Sequence, residues 1–115
     1  MVLVDLTTAT ICLLNQCYPA LVGPETPTGQ FRLEQVLTKE PGCGGDVILF
    51  KKTQTSVFAI HRVWLLKPRQ NRLQRFTSGK VSERVDTTQG CINVMPEVYE
   101  KLLDCCNRQL LTISR

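Results

Sequence analysis

The chain has 115 residues, 43% of them hydrophobic and 21% charged, a composition that predicts one soluble domain with a single core and excludes two. Its formal net charge of +4 is mild, and the segment with much of the excess, Lys67 to Arg84, holds one aromatic, Phe76, which argues against a single-strand nucleic-acid binder with interleaved stacking residues. No apolar run reaches the length of a membrane span, and Met1-Val2-Leu3-Val4-Asp5 lacks the basic start and long apolar stretch of a signal peptide.

Taken in order, Val2-Leu3-Val4, Thr10-Ile11-Cys12-Leu13-Leu14 and Tyr18-Pro19-Ala20-Leu21-Val22 are short apolar bursts. Turn-forming Asn15-Gln16 lies between the second and third, so the spacing predicts a meander of short strands. Gly23-Pro24-Glu25-Thr26-Pro27-Thr28-Gly29 is dense in turn residues and precedes a strand-like Gln30-Phe31-Arg32-Leu33. After a second break at Pro41-Gly42-Cys43-Gly44-Gly45, Val47-Ile48-Leu49-Phe50 and Ser56-Val57-Phe58-Ala59-Ile60 read as strands, the latter delivering His61 at its end. Residues 62–90 form a long polar and basic connection, of the kind that is functional or mobile rather than structural in a small domain. Pro96 is a good first helical residue, Glu97 and Glu100 suit the positive end of a helix dipole, and Val98, Leu102 and Cys105 share a face, which predicts a helix over 96–106. Leu110-Leu111-Thr112-Ile113 closes the chain as a strand. Six to eight short strands with one helix make a mainly β domain spanning 1–115, a sandwich or open barrel with the helix packed on it.

The reactive candidate is the thiol in Thr87-Thr88-Gln89-Gly90-Cys91-Ile92-Asn93-Val94, just past a flexible glycine and just before an apolar run. A thiol attacks a carbonyl carbon as thiolate, and a nearby imidazole is the usual way to make one at neutral pH; His61 is the chain's only histidine. A cysteine in an apolar run is otherwise a small buried hydrophobe. The remaining five cysteines contain no C-x-x-C pair, so no zinc site is expected, although they admit one or two disulfides. Adjacent Cys105 and Cys106 point in different directions on a helix, which favours ordinary packing there. The basic run around Lys67, Arg69, Arg72, Arg75, Lys80 and Arg84 reads either as a solvated surface or as a seat for a carboxylate-rich partner.

The ordered set of motifs resembles the L,D-transpeptidase catalytic domain, also called YkuD-like or ErfK-like, of bacterial enzymes that remodel peptidoglycan. Val2 to Leu6 and Ile11 to Leu14 resemble its first hairpin, Tyr18 to Gly23 the strand that follows, and Thr26-Pro27-Thr28-Gly29-Gln30-Phe31 its Thr-Pro-Thr-Gly-x-Phe turn. Ile60-His61 resembles the strand end that carries the base, and Thr88-Gln89-Gly90-Cys91-Ile92-Asn93 the signature Ser/Thr-His-Gly-Cys-apolar-Asn/Arg. The resemblance implies an L,D-transpeptidase-like β-sandwich or open barrel with one packed C-terminal helix, without metal or organic cofactor. It implies that Cys91 attacks the diamino-acid carbonyl of a peptidoglycan stem tetrapeptide and that His61 moves the proton. Thr88 would help orient the imidazole, and backbone amides of Gln89, Gly90 and Cys91 would form an oxyanion hole. Asn93 and Trp64 would lie beside the substrate.

Three departures stand out. Gln89 replaces the signature histidine, Arg62 stands where a small residue commonly follows the base and suggests a contact to a substrate carboxylate, and 29 residues separate His61 from Cys91, which implies an elongated cleft-covering loop. The product would be a cross-link if an amine resolves the thioester and a shortened peptide if water does. The expected place of action is the periplasm or cell envelope, for a resident enzyme or a delivered effector. The alternative is a catalytically silent module of the same fold that binds cell-wall peptides.

Overall fold

The computed structural model describes residues 1–39, 45–63 and 72–115. Its strands, in chain order, are β1 (Val2–Asp5), β2 (Thr10–Leu13), β3 (Gln16–Pro19), β4 (Gly29–Arg32), β5 (Glu34–Leu37), β6 (Asp46–Lys52), β7 (Val57–Arg62), β8 (Ile92–Val94) and β9 (Leu110–Ser114). They make a five-stranded sheet in the order β3-β2-β1-β9-β4 and a four-stranded sheet in the order β5-β6-β7-β8. Most neighbours are antiparallel; β1 with β9, and β7 with β8, are parallel. The domain is mainly β, as the strand pattern predicts, and its strands divide into two sheets.

Period-two alternation builds the core. Val2 and Val4 of β1, Ile11 and Leu13 of β2, Leu111 and Ile113 of β9, Ile48 and Phe50 of β6, Ile60 of β7, and Ile92 and Val94 of β8 all join one buried cluster. Helix α2 (Pro96–Cys106) closes it with Val98, Tyr99, Leu102 and Cys106, a stripe at helical spacing. The helix has the expected bounds, with Pro96 in its first turn and Glu97 near its positive end.

The first meander turns at Leu14-Asn15, one residue earlier than expected, and both residues have positive φ (51° and 64°). Two left-handed residues in a two-residue loop match the twist of the flanking strands. Across that loop Cys12 pairs in register with Cys17, and the two form a disulfide. The third apolar burst is strand only as far as Pro19; beyond it Leu21 makes a single antiparallel bridge to Asn93. Cys105 and Cys106 are also disulfide-bonded, which corrects the expectation of ordinary packing. They occupy the end of α2, where the next residue, Asn107, has already left helical geometry at φ −57°, ψ 129°.

A polar cluster fastens α2 to β6 and β7. Asp46 accepts hydrogen bonds from the Tyr99 hydroxyl (2.7 Å), the Gln35 amide (2.9 Å) and the Arg62 guanidinium (2.9 Å). Arg62 also pairs with Glu100 at 3.2 Å and stacks over the Tyr99 ring at 4.1 Å. Burial opposes ionisation of Asp46, but the bonds from Tyr99, Arg62 and Gln35 outweigh it and hold the carboxyl below its usual range. Burial and the adjoining Asp46 carboxylate push the Tyr99 phenol upward.

The connection from β7 to β8 carries more structure than its polar sequence suggests. It contains the short helix α1 (Arg72–Thr77) and a 3-10 turn at Val81–Glu83. Phe76 is buried against Leu21 and Val63. Arg84 is buried and donates to the carbonyls of Thr8 (2.9 Å) and Ala9 (3.3 Å), while Arg75 donates to that of Glu83 (2.9 Å). These two cations are therefore fastened to the fold. Lys67 and Arg69 lie outside the described residues.

Candidate active site

The site is set by the parallel pairing of β7 and β8, whose register places Ile60 beside Ile92, His61 beside Asn93 and Arg62 beside Val94. Side chains two apart share a face of a strand, so Asn93 and Cys91 lie on the side where His61 sits. His61 is 7% exposed and Asn93 is 0% exposed, its backbone pinned by reciprocal 2.9 Å bonds with Leu21.

The hydrogen bonds at His61 have a single consistent proton assignment. Ring Nδ1 lies 2.8 Å from the Arg62 carbonyl oxygen, which can only accept, so Nδ1 carries the proton. Asn93 Oδ1 accepts from an Arg72 guanidinium nitrogen at 2.8 Å, because guanidinium has donors alone. The Asn93 amide NH2 then faces His61 Nε2 at 3.1 Å, and Nε2 must be the bare acceptor. Donation runs in one direction: Arg72 to Asn93, Asn93 to His61, His61 to the Arg62 carbonyl. The imidazole is neutral in this arrangement. Burial pushes its pKa below the ordinary 6.5, and the Arg72 charge adds to the effect.

Cys91 precedes β8 at the end of a turn braced from behind. The Gln89 carbonyl accepts from the Glu25 amide (2.9 Å), the Gly90 carbonyl from the Thr26 hydroxyl (2.9 Å), and the Cys91 carbonyl from the Thr88 hydroxyl (2.6 Å). A trans peptide sets each carbonyl antiparallel to the next N–H, so the Gly90 and Cys91 amides point away from Glu25 and Thr26. Thr26, 3% exposed, also accepts from the Gly23 amide at 3.1 Å, locking the Thr-Pro-Thr-Gly turn to the cysteine turn. Two glycines permit this closeness. A Cβ on Gly23 would collide with the Thr88 carbonyl, and one on Gly90 would stand 2.5 Å from the Phe58 ring.

A cavity of about 650 Å³ opens over this turn, lined by Val57, Phe58 and His61 of β7, by Arg72, by residues 86–91 and by Glu25. The half-buried Cys91 thiol donates weakly to the Val57 carbonyl at 3.7 Å and makes no hydrogen bond to the imidazole. Burial pushes the thiol upward; an Ala59 backbone hydrogen bond and the Arg72 charge pull the other way without prevailing. With the thiol raised and the imidazole lowered, the resting pair is neutral on both sides. No group of three or more His, Cys, Asp or Glu residues able to hold a metal ion occurs among the described residues.

Of the residues singled out in the sequence, Cys91, His61, Thr88, Gln89 and Gly90 line this one cavity. Asn93 does not reach it: fully buried, its side chain serves His61 and Arg72 instead of a substrate. The Thr88 hydroxyl braces the Cys91 carbonyl and not the imidazole. The Arg62 guanidinium is drawn to Asp46, Glu100 and the Tyr99 ring, away from the cavity, so a substrate contact there gives way to a structural role; its carbonyl is what orients His61. Trp64 lies outside the described residues. Arg72 escapes a reading of the sequence as an individual, because nothing in a basic run says which cation turns inward.

No protein-family model and no curated protein matches this sequence. Solved structures do match over nearly all of it. Bd1075 of Bdellovibrio bacteriovorus superposes with a TM-score of 0.63 at 18% identity, covering 99% of this chain and 47% of that one. An Enterococcus faecium L,D-transpeptidase gives 0.64 at 16%, covering 98% and 48%. The L,D-transpeptidase of Xylanimonas cellulosilytica gives 0.61 at 14%, covering 98% and 59%. The chain thus spans about half the length of the solved proteins it matches. At this identity the likeness concerns architecture, and the chain has the L,D-transpeptidase-like fold.

Proposed function

We propose that the chain is a single catalytic domain, a cysteine-dependent L,D-transpeptidase or L,D-carboxypeptidase acting on peptidoglycan stem tetrapeptides in the periplasm or cell envelope. The observation that carries this reading is the meeting, in one cavity of an L,D-transpeptidase-like fold, of a free thiol with the chain's only imidazole. His61 Nε2 takes the Cys91 proton as sulfur attacks the carbonyl carbon of the diamino acid. The oxyanion that forms meets the Gly90 and Cys91 amides, whose directions are fixed by Glu25 and Thr26. Collapse breaks the C–N bond, the Nε2 proton passes to the departing amine of D-alanine, and a thioester remains on Cys91. An amine acceptor then gives a cross-link, and water gives a tripeptide. No helix among the described residues is long and apolar enough to cross a membrane.

The test is to incubate the protein with purified disaccharide-tetrapeptide and follow products by mass spectrometry, with Cys91→Ala as control. Loss of D-alanine with gain of water indicates a carboxypeptidase, and a cross-linked dimer a transpeptidase. One observation favours a second reading, a silent cell-wall peptide binder: Nε2 is capped by Asn93 and the thiol is turned to Val57. Retarded muropeptide on a column of immobilised protein, with neither product, would establish that reading.

A further inference from the structure

Nε2 has one lone pair, and the Asn93 amide occupies it. Taking a proton would leave an Nε2–H facing an NH2 group, two donors head to head. The clash is relieved if the Asn93 amide turns over, presenting its oxygen to the imidazolium. Arg72 forbids that turn, because it would then set the Asn93 NH2 against a guanidinium that has no acceptor. The guanidinium is itself poorly satisfied: its Nε is buried and finds no acceptor among the described residues. It lines the cavity beside the thiol, so an anionic group entering there meets a cation short of acceptors.

We propose, on the Cys91–His61 chemistry set out above, that Arg72 is a positioning residue that acts through Asn93 as a latch. It keeps His61 neutral in the resting protein, and a substrate carboxylate that draws it off Asn93 frees the amide to turn and the imidazole to take the thiol proton. The recognised chemistry is a peptide with a free carboxylate near the scissile bond, and the latch ties proton transfer to its arrival. The short helix α1, set in the long connection between base and nucleophile, supplies the residue. Among the described residues, the other charged groups around His61 have these places. Cys91, Glu25 and Asp86 line the cavity, Arg75 bears on Arg72 from one turn along α1, and Arg62 with Asp46 and Glu100 lies on the side of α2. None of them donates to Nε2.

Because the chain has one histidine, its ring nitrogens can be followed directly by NMR in 15N-labelled protein as pH is varied. The wild type should show the Nδ1–H tautomer at neutral pH and titrate below 6.5. Arg72→Met and Asn93→Ala should each raise the His61 pKa, and Arg72→Met should add little in the Asn93→Ala background. An equal rise from Arg72→Met in both backgrounds would mean simple charge repulsion and would overturn the latch. A second arm adds disaccharide-tetrapeptide, or the same peptide amidated at its C-terminus, to the Cys91→Ala protein, which cannot turn over. The free acid should raise the His61 pKa and the amide should not; binding without that difference overturns release by a carboxylate. Failure of both peptides to bind would instead remove the cell-wall reading, while the first arm still decides whether Arg72 governs His61.

Discussion

Replacing Thr26 with valine removes one hydroxyl and keeps the side chain's shape, so it isolates the link between the Thr-Pro-Thr-Gly turn and the cysteine turn. That hydroxyl accepts from the Gly23 amide at 3.1 Å and donates to the Gly90 carbonyl at 2.9 Å. Thr26 is 3% exposed, so neither orphaned group regains water readily. An unsatisfied buried polar group costs about 1–3 kcal/mol, and two sharing one lost partner give about 2–4 kcal/mol. At about 2.1 cal/mol/K of unfolding entropy per residue, a chain of this size loses about 4 °C of Tm per kcal/mol, so Thr26→Val should melt roughly 8–16 °C below wild type. Thr26→Ser keeps both bonds and gives up one methyl, a loss of about 1 kcal/mol. Thermal melts followed by circular dichroism compare the three proteins. A valine variant within about 2 °C of wild type, or a serine variant less stable than the valine one, would refute the assignment of Thr26 as the brace.

Gly23→Ala should lower stability by about 2–3 kcal/mol, read as a lower urea midpoint at unchanged slope, because its Cβ meets backbone at Thr88. Gly90→Ala should be milder, since the Phe58 ring it meets can turn. Tyr99→Phe should cost about 1–3 kcal/mol at neutral pH and raise the Asp46 pKa, which NMR of the carboxyl carbon can follow. Asp46 titrates below its unfolded value, so its contribution is present above that value and lost as pH falls through the folded one; without the Tyr99 bond, acid unfolding should begin at higher pH. His61 is lowered by burial, so between 6.5 and its folded pKa the unfolded chain binds more protons, and stability should fall as pH falls through that window. Urea melts should show this slope flattened in His61→Gln.

Where one physical pattern decides, the sequence carries the fold. Alternation in Val2 to Val4, Thr10 to Leu13 and Leu110 to Ile113 marks strands with one buried face, and Pro96 with the Val98-Leu102 stripe marks α2 to the residue. Strand β5 escapes because Glu34 to Leu37 is exposed throughout and shows no period to read. Helix α1 escapes because it is short and amid charge, with Phe76 its one buried residue. In the site, the thiol and the imidazole are legible from chemistry and motif order, but the partners of Asn93, Thr88 and Arg62 are not. Those follow from the β7–β8 register and from where each side chain finds its complement, properties of the packed structure. The register explains Asn93: paired with His61 across two adjacent strands, its amide meets the ring before any substrate could.

In the proposed reaction Cys91 carries the acyl group. Brief exposure of the protein to disaccharide-tetrapeptide, acid quenching, digestion and peptide mass spectrometry tests it directly. A thioester-linked acyl group should appear on the peptide containing Cys91 and be absent when His61 is replaced by glutamine. D-alanine release with the acyl group on Cys43, or with Cys91 replaced by alanine, would contradict it.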